Sequence, residues 1–164
     1  MDLETEIRRL GSSMLILFVI SIVGFIVSYA NSLIANPLVI STRVGLLIIG
    51  IILIVIEIIA LVKAKDSFSK INNVVSVNLG IAGTNLSLIG FILVFFGIMF
   101  FLSSILLLGL FLLGFYIFLM GLGTLTIGYI LLGVGVYKIG KAFTNTLTKA
   151  GGILISVLIL SIIG

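Results

Sequence analysis

Glu57 is the one residue whose type and position could do chemistry inside the apolar part of this chain. It is the sole ionisable group in the run from Val44 to Val62. It precedes Lys63 by six positions, so along a helix it lies about 9 Å deeper than that cation. A carboxylate placed inside a membrane span usually faces the bundle interior or a wet cavity, where it can handle protons or cations. Gly50, Glu57 and Ala64 recur at seven-residue spacing, which puts all three on one helix face turned toward other helices. Glu57 is therefore the candidate proton or ion site. The sequence favours a structural role over that one: the side chain can reach toward Lys63 or headgroup water, or be protonated and hydrogen-bond to Ser21, Ser28 or Tyr29.

Most other chemistry is excluded by residue type. The chain has no Cys, no His and no Trp. Without Cys there is no disulfide, no thiolate nucleophile and no iron–sulfur ligand. Without His there is no imidazole for haem, zinc or copper and no ordinary neutral-pH proton shuttle. No Ser–His or Cys–His pair is available as a nucleophile. The glycines lie in apolar runs with no Lys-Ser/Thr after them, so there is no phosphate-binding loop. The expectation is a non-enzymatic protein with no catalytic residue, no metal and no cofactor. Met14, Met99 and Met120 read as core filler, and Phe95, Phe96, Phe100 and Phe101 as lipid-facing bulk.

The elements that carry these residues follow from hydropathy. Of 164 residues, 62% are hydrophobic and 9% are charged, and mean hydropathy is +1.53. Soluble domains average about 25% charged residues. From Ile71 to Tyr137 there is no charged side chain. Lipid demands that every backbone polar group be paired internally, which leaves helices or closed barrels. Barrel strands alternate in polarity over about ten residues, and these runs are longer and unbroken. The fold class is all-α, an integral membrane helical bundle in a single domain over 1–164.

Four spans are expected, at about 12–34, 44–62, 83–104 and 109–136, since a hydrocarbon core of about 30 Å needs about 20 helical residues. The acidic first residues and the length of the first apolar run argue for a retained span rather than a cleaved signal. Leu3, Ile7 and Leu10 fall at helical spacing opposite charged positions, which suggests either a short surface helix or a solvated tail. Asn36-Pro37 ends the first span. Residues 63–82 are polar enough for a surface loop or an interfacial helix. The turn between spans three and four falls near Ser103-Ser104 and Gly109. Tyr137 to Lys149 is a polar break, and 150–164 is a short apolar segment that crosses fully as a fifth span or enters partway.

Topology follows from the cations. Of nine Lys and Arg, only Arg43 falls between spans one and two. Arg8, Arg9, Lys63, Lys65, Lys70, Lys138, Lys141 and Lys149 all fall on the other side. The positive-inside rule puts the N-terminus in the cytoplasm and requires an even number of spans between Lys70 and Lys138. The net charge of +4 is thus a topology signal, and no nucleic-acid partner is expected.

Glycines recur every seven residues in two consecutive spans: Gly83, Gly90, Gly97 and Ser104 in the third, Gly114, Gly121, Gly128 and Gly135 in the fourth. A seven-residue step drifts only about 20° around a helix, so each set forms a nearly straight seam. Small residues let helix backbones approach closely where greasy contact gives no net attraction. The two seams are expected to pack against each other with a crossing near +20°. Gly123, Gly133 and Gly140 lie off the seam.

Lys63-Ala-Lys-Asp-Ser-Phe-Ser69 and Lys138-Ile-Gly-Lys-Ala-Phe-Thr144 each follow an even-numbered span. They suggest a two-hairpin parallel repeat over 1–70 and 83–149. The C-terminal part, Tyr137-Lys-Ile-Gly-Lys-Ala-Phe143 through Lys149-Ala-Gly-Gly-Ile-Leu154 and Ser161-Ile-Ile-Gly164, resembles small archaeal multi-pass membrane proteins of an uncharacterised-domain family. That resemblance implies an archaeal plasma-membrane location and carries no functional residue with it. The reading reached from the residues is an accessory or assembly subunit of a larger membrane complex, with the lipid bilayer, other membrane subunits or further copies of the chain as partners. The alternative is a small transporter or ion-conducting protein that uses Glu57.

Overall fold

The computed structural model describes residues 3–33, 40–103 and 108–163, with side chains shown for most of them. Among these the chain is all-α. Its helices are α1 (Leu3–Leu33), α2 (Ile40–Ile71), α3 (Asn78–Ser103), α4 (Leu108–Ala142) and α5 (Thr146–Ile163). Three of them contain segments long and apolar enough to cross a membrane: Leu3–Gly24, Asn78–Phe100 and Phe111–Ala142. The breaks expected at Asn36-Pro37 and at Ser104 lie outside the described residues. The chain divides into two compact units, Met1–Ala64 and Lys65–Gly164.

In the first unit, α1 begins at Leu3, well before the apolar run, so residues 3–10 are the opening turns of a continuous helix rather than a tail or a separate surface helix. The stripe it buries is Glu6, Leu10, Ser13, Met14, Leu17 and Ile20. Glu6 therefore shares the buried face with Leu10, whereas the sequence suggested that the apolar residues lie opposite all the charges. The spacing is three to four residues throughout, and helical phase overrides side-chain polarity here. On the outer face Arg8 and Glu4 form an exposed pair at 3.0 Å, a type that adds little stability.

Of residues 63–82, expected as a surface loop or an interfacial helix, 63–71 are helical and 72–77 form a short connection to α3. α2 continues unbroken to Ile71. Ala60, Leu61, Ala64, Ser67, Phe68 and Ile71 are buried, while Lys63, Lys65, Asp66 and Ser69 are exposed. That is one helical stripe carried past the apolar span, with the charges phased to the opposite face. Lys70 donates to Asp66 at 2.9 Å along that outer face.

Two short connections shape the second unit. After α2, the Val77 N–H donates to Asn72 Oδ1 at 2.7 Å, and the Asn72 N–H donates to the Phe68 carbonyl at 2.9 Å. One side chain thereby ties the end of α2 to the start of α3. Between α4 and α5 the expected polar break shrinks to three residues, because α4 runs on to Ala142. The Asn145 N–H bonds back to the Gly140 carbonyl at 2.8 Å, and Thr144 sits in the left-handed region at φ 53. This is the six-to-one helix stop that usually places Gly at the left-handed position. Asn145 then caps α5, its Oδ1 accepting from the Thr148 N–H at 3.1 Å.

Asn145→Ala should lower stability by about 1 kcal/mol, as expected for a lost N-cap. Thr144→Gly should raise it, since Gly enters the left-handed region without a Cβ penalty. Thermal unfolding of the detergent-solubilised chain reads both; an unchanged Asn145→Ala together with a weakened Thr144→Gly would contradict this turn geometry.

Candidate helix-packing site

Helix contact in lipid depends on how closely backbones approach, so the glycine positions decide the packing. Gly83, Gly90, Gly97, Gly114, Gly121, Gly128 and Gly135 are all buried. A Cβ placed on Gly83 would collide with the Leu132 N and stand 2.6 Å from the Gly128 carbonyl oxygen. On Gly90 it would lie 2.7 Å from the Leu125 N, and on Gly97 2.6 Å from the Phe118 N. From the α4 side, a Cβ on Gly121 would meet the Val94 N at 2.6 Å, and one on Gly128 the Ser87 N at 2.6 Å. α3 and α4 thus run backbone to backbone in an antiparallel register in which Gly83 faces Gly128 and Gly90 faces Gly121. Ser104, the fourth member of the α3 set, lies outside the described residues.

Two hydroxyls are buried in the α3 face of this seam. Thr84 Oγ1 donates to the Ile81 carbonyl at 2.9 Å. Ser87 is fully buried, and its Oγ has no hydrogen-bond partner. That oxygen lies 2.5 Å from where a Cβ of Gly128 would stand, so it faces the backbone of α4. Only a weak Cα–H contact is on offer from that direction.

The α2–α3 connection adds a contact that the heptad pattern did not reveal. Phe68 is fully buried. A Cβ on Gly80 would stand 2.5 Å from its ring, and one on Gly135 would stand 3.1 Å from it and 2.5 Å from the Gly80 Cα. The ring occupies a notch that exists because neither glycine has a side chain. The available sequence signal was the pairing of Gly80 and Gly135 with an aromatic residue in phase on the preceding helix.

A second close approach uses glycines that lie off the first seam. A Cβ on Gly133 would collide with Ser156 Oγ and lie 2.6 Å from the Gly152 carbonyl oxygen. Positions on Gly140 and Gly152 would meet the Lys149 N at 2.5 Å and the Tyr137 N at 2.6 Å. Gly133 and Gly135 are two residues apart, about 200° around the helix. α4 therefore presents one glycine face to α3 and the opposite one to α5. Gly123 belongs to neither face and has open space around it.

Glu57 is half-buried, and its neighbours Val55, Ile56 and Ile59 are exposed. Of its proposed face, Ala64 is fully buried while Gly50 is half-buried with open space at its Cβ position. Ser21 donates its hydroxyl to the Leu17 carbonyl at 2.9 Å, Tyr29 is exposed, and the Ser28 side chain lies outside the described set. Among the described residues no cluster of three or more His, Cys, Asp or Glu side chains could hold a metal ion. Of the methionines read as core filler, only Met14 is buried, whereas Met99 and Met120 are exposed. Bulk apolar side chains meet no penalty on a face toward lipid, so apolarity did not imply burial. Phe95 and Phe96 are exposed and stack edge to face at 6.2 Å. The two basic Phe-containing segments differ: Phe68 is fully buried, while Phe143 is 37% exposed in the α4–α5 turn.

Gly128→Ala should cost about 1–3 kcal/mol, the usual range for overpacking a close contact, and Gly121→Leu should disrupt the hairpin. Gly123→Ala should cost nothing, and Ser87→Ala should be neutral or stabilising because its hydroxyl has no partner to lose. Melting temperatures in one detergent compare all four. Equal values for Gly128→Ala and Gly123→Ala would rule out the close approach.

Comparison with known proteins gives one family. No curated protein and no solved structure matches the chain. A family model described as "Protein of unknown function (DUF973)" matches residues 4–164. The match takes in both glycine faces of α4, the Phe68 notch and Glu57, and on that span the chain belongs to the DUF973 family.

Proposed function

We propose that this chain is a non-enzymatic accessory or assembly subunit of a larger complex in an archaeal plasma membrane. In this reading α1 to α4 each cross the bilayer, α5 is a shorter fifth element, and the N-terminus is cytoplasmic. The orientation rests on the cation count, with eight of nine Lys and Arg assigned to one side. The accessory role rests on where polar and apolar groups point. Hydroxyls of Ser13, Ser21, Thr124 and Thr126 turn back to carbonyls of their own helices. Outward lie large apolar groups such as Ile52 and Ile59 on α2, Ile92 and Phe95 on α3, and Phe115 and Met120 on α4. Such a surface suits lipid and partner helices more than a polar solute.

A second reading is a small transporter or ion-conducting protein. It is favoured by Glu57, half-buried on an otherwise aliphatic stretch of α2. The intramembrane position of a carboxylate is costly enough to need a reason.

Gentle extraction from native membranes followed by native mass spectrometry separates the two. Other subunits should co-purify at fixed stoichiometry. A homo-oligomer that conducts pH-dependent flux in liposomes, with flux lost in Glu57→Gln, would replace the first reading with the second.

Orientation has its own test, made simple by the absence of native Cys. Lys65→Cys and Phe143→Cys should react with an impermeant thiol reagent only from the cytoplasmic side, and Ser41→Cys only from the outside. Labelling of positions 65 and 143 from opposite faces would overturn the threading.

A further inference from the structure

The α4–α5 hairpin combines an open apolar cleft with cations that have no acidic neighbour in sequence. The cleft holds about 300 Å³ and is lined by Gly133, Val134, Tyr137, Gly152, Ile153 and Ser156. It exists because Gly133 and Gly152 bring the two backbones together there without filling the space beside them. Its Tyr137–Gly152 end is the one nearer the α4–α5 turn, which is flanked by Lys138 and Lys141 on α4 and Lys149 on α5. The Lys149 backbone lies directly against Gly140, so the turn gathers all three cations at one end of the hairpin. From Ser67 to the last residue the chain contains no Asp or Glu. The one acid earlier in the same compact unit, Asp66, is paired with Lys70. The hairpin thus holds three positive charges and no negative one. Lys138 and Lys141 are exposed, and Lys149 is half-buried.

We propose that this hairpin binds one anionic phospholipid, its phosphate held by Lys138, Lys141 and Lys149 and one acyl chain laid in the cleft between α4 and α5. The charges and the groove address two ends of the same molecule. Basic pockets between helices at the membrane surface hold anionic headgroups. The groove supplies the geometry, which turns a diffuse attraction to an anionic leaflet into a single retained molecule. Tyr137, at the rim and partly exposed, is the type of residue that sits at headgroup depth. Because the headgroup contact is electrostatic and near the surface, it weakens with salt.

The test uses the full-length chain in detergent, with native mass spectrometry as the readout. Phosphatidylglycerol and phosphatidylcholine of matched chain length are offered in equal amounts. One phosphatidylglycerol should be retained in preference to phosphatidylcholine by at least fivefold. The triple variant Lys138→Gln, Lys141→Gln, Lys149→Gln should lose that preference, and Val134→Phe, which fills the cleft, should lower retention at least fivefold. Ile153→Trp fills the cleft from the α5 side and stands in for Val134→Phe if the latter loses helix content by circular dichroism. Equal retention of the two lipids by the native chain would overturn the proposal. So would unchanged preference in the triple variant, or unchanged retention in a folded cleft-filling variant.

Discussion

Apolar burial does little to bring helices together in hydrocarbon, because a lipid tail is as greasy as a leucine. What the second unit of this protein depends on is close backbone approach. Where α3 and α4 meet, a Cβ on Gly83, Gly90, Gly97, Gly121 or Gly128 would stand within about 3 Å of a partner backbone atom, closer than side-chain carbons normally come. At that range dispersion between the two main chains is gained along the whole seam. The large residues are left for the outside, which is why so many Ile, Leu and Phe side chains are exposed.

α4 is the central element of this unit because its two glycine faces are nearly opposed. One serves α3 through Gly121, Gly128 and Gly135, the other serves α5 through Gly133 and Gly140. The same helix reaches 35 residues, about 52 Å, so it extends beyond the thickness of a hydrocarbon core of about 30 Å. Its final turns carry Lys138 and Lys141, and the turn at Thr144 folds α5 back against it. The Phe68 ring packs near this same end of α4, seated where Gly80 and Gly135 leave room.

Several hydroxyls are satisfied locally. Thr84, Thr124 and Thr126 satisfy their hydroxyls on carbonyls of their own helix, which is the ordinary solution where water is absent. Among the described residues Ser87 differs, with a buried, unpartnered hydroxyl set against the Gly128 backbone. Small size explains its presence better than hydrogen bonding does, because the seam admits only a short side chain at that point.

Much of this was legible in the residues alone. Composition pointed to an all-α chain of long apolar helices, hydropathy placed the apolar runs, and the seven-residue glycine steps matched the α3 and α4 faces that lie together. These are properties of period and polarity, which a linear text carries without loss. The helices were longer than their apolar runs, however. By polarity Lys63 to Lys70 read as a surface loop or an interfacial helix, and the phase of Ala64, Ser67, Phe68 and Ile71 shows that they continue α2. The family membership, known from residues 4–164, adds no chemistry to that reading. What the sequence by itself determined is the apolar runs and the helical period, because both follow from side-chain type at each position. Only the tertiary structure decided which off-seam glycines matter: Gly133 and Gly140 meet α5, while Gly123 meets nothing. All three are the same residue in the same helix, and what separates them is where a neighbouring backbone happens to pass.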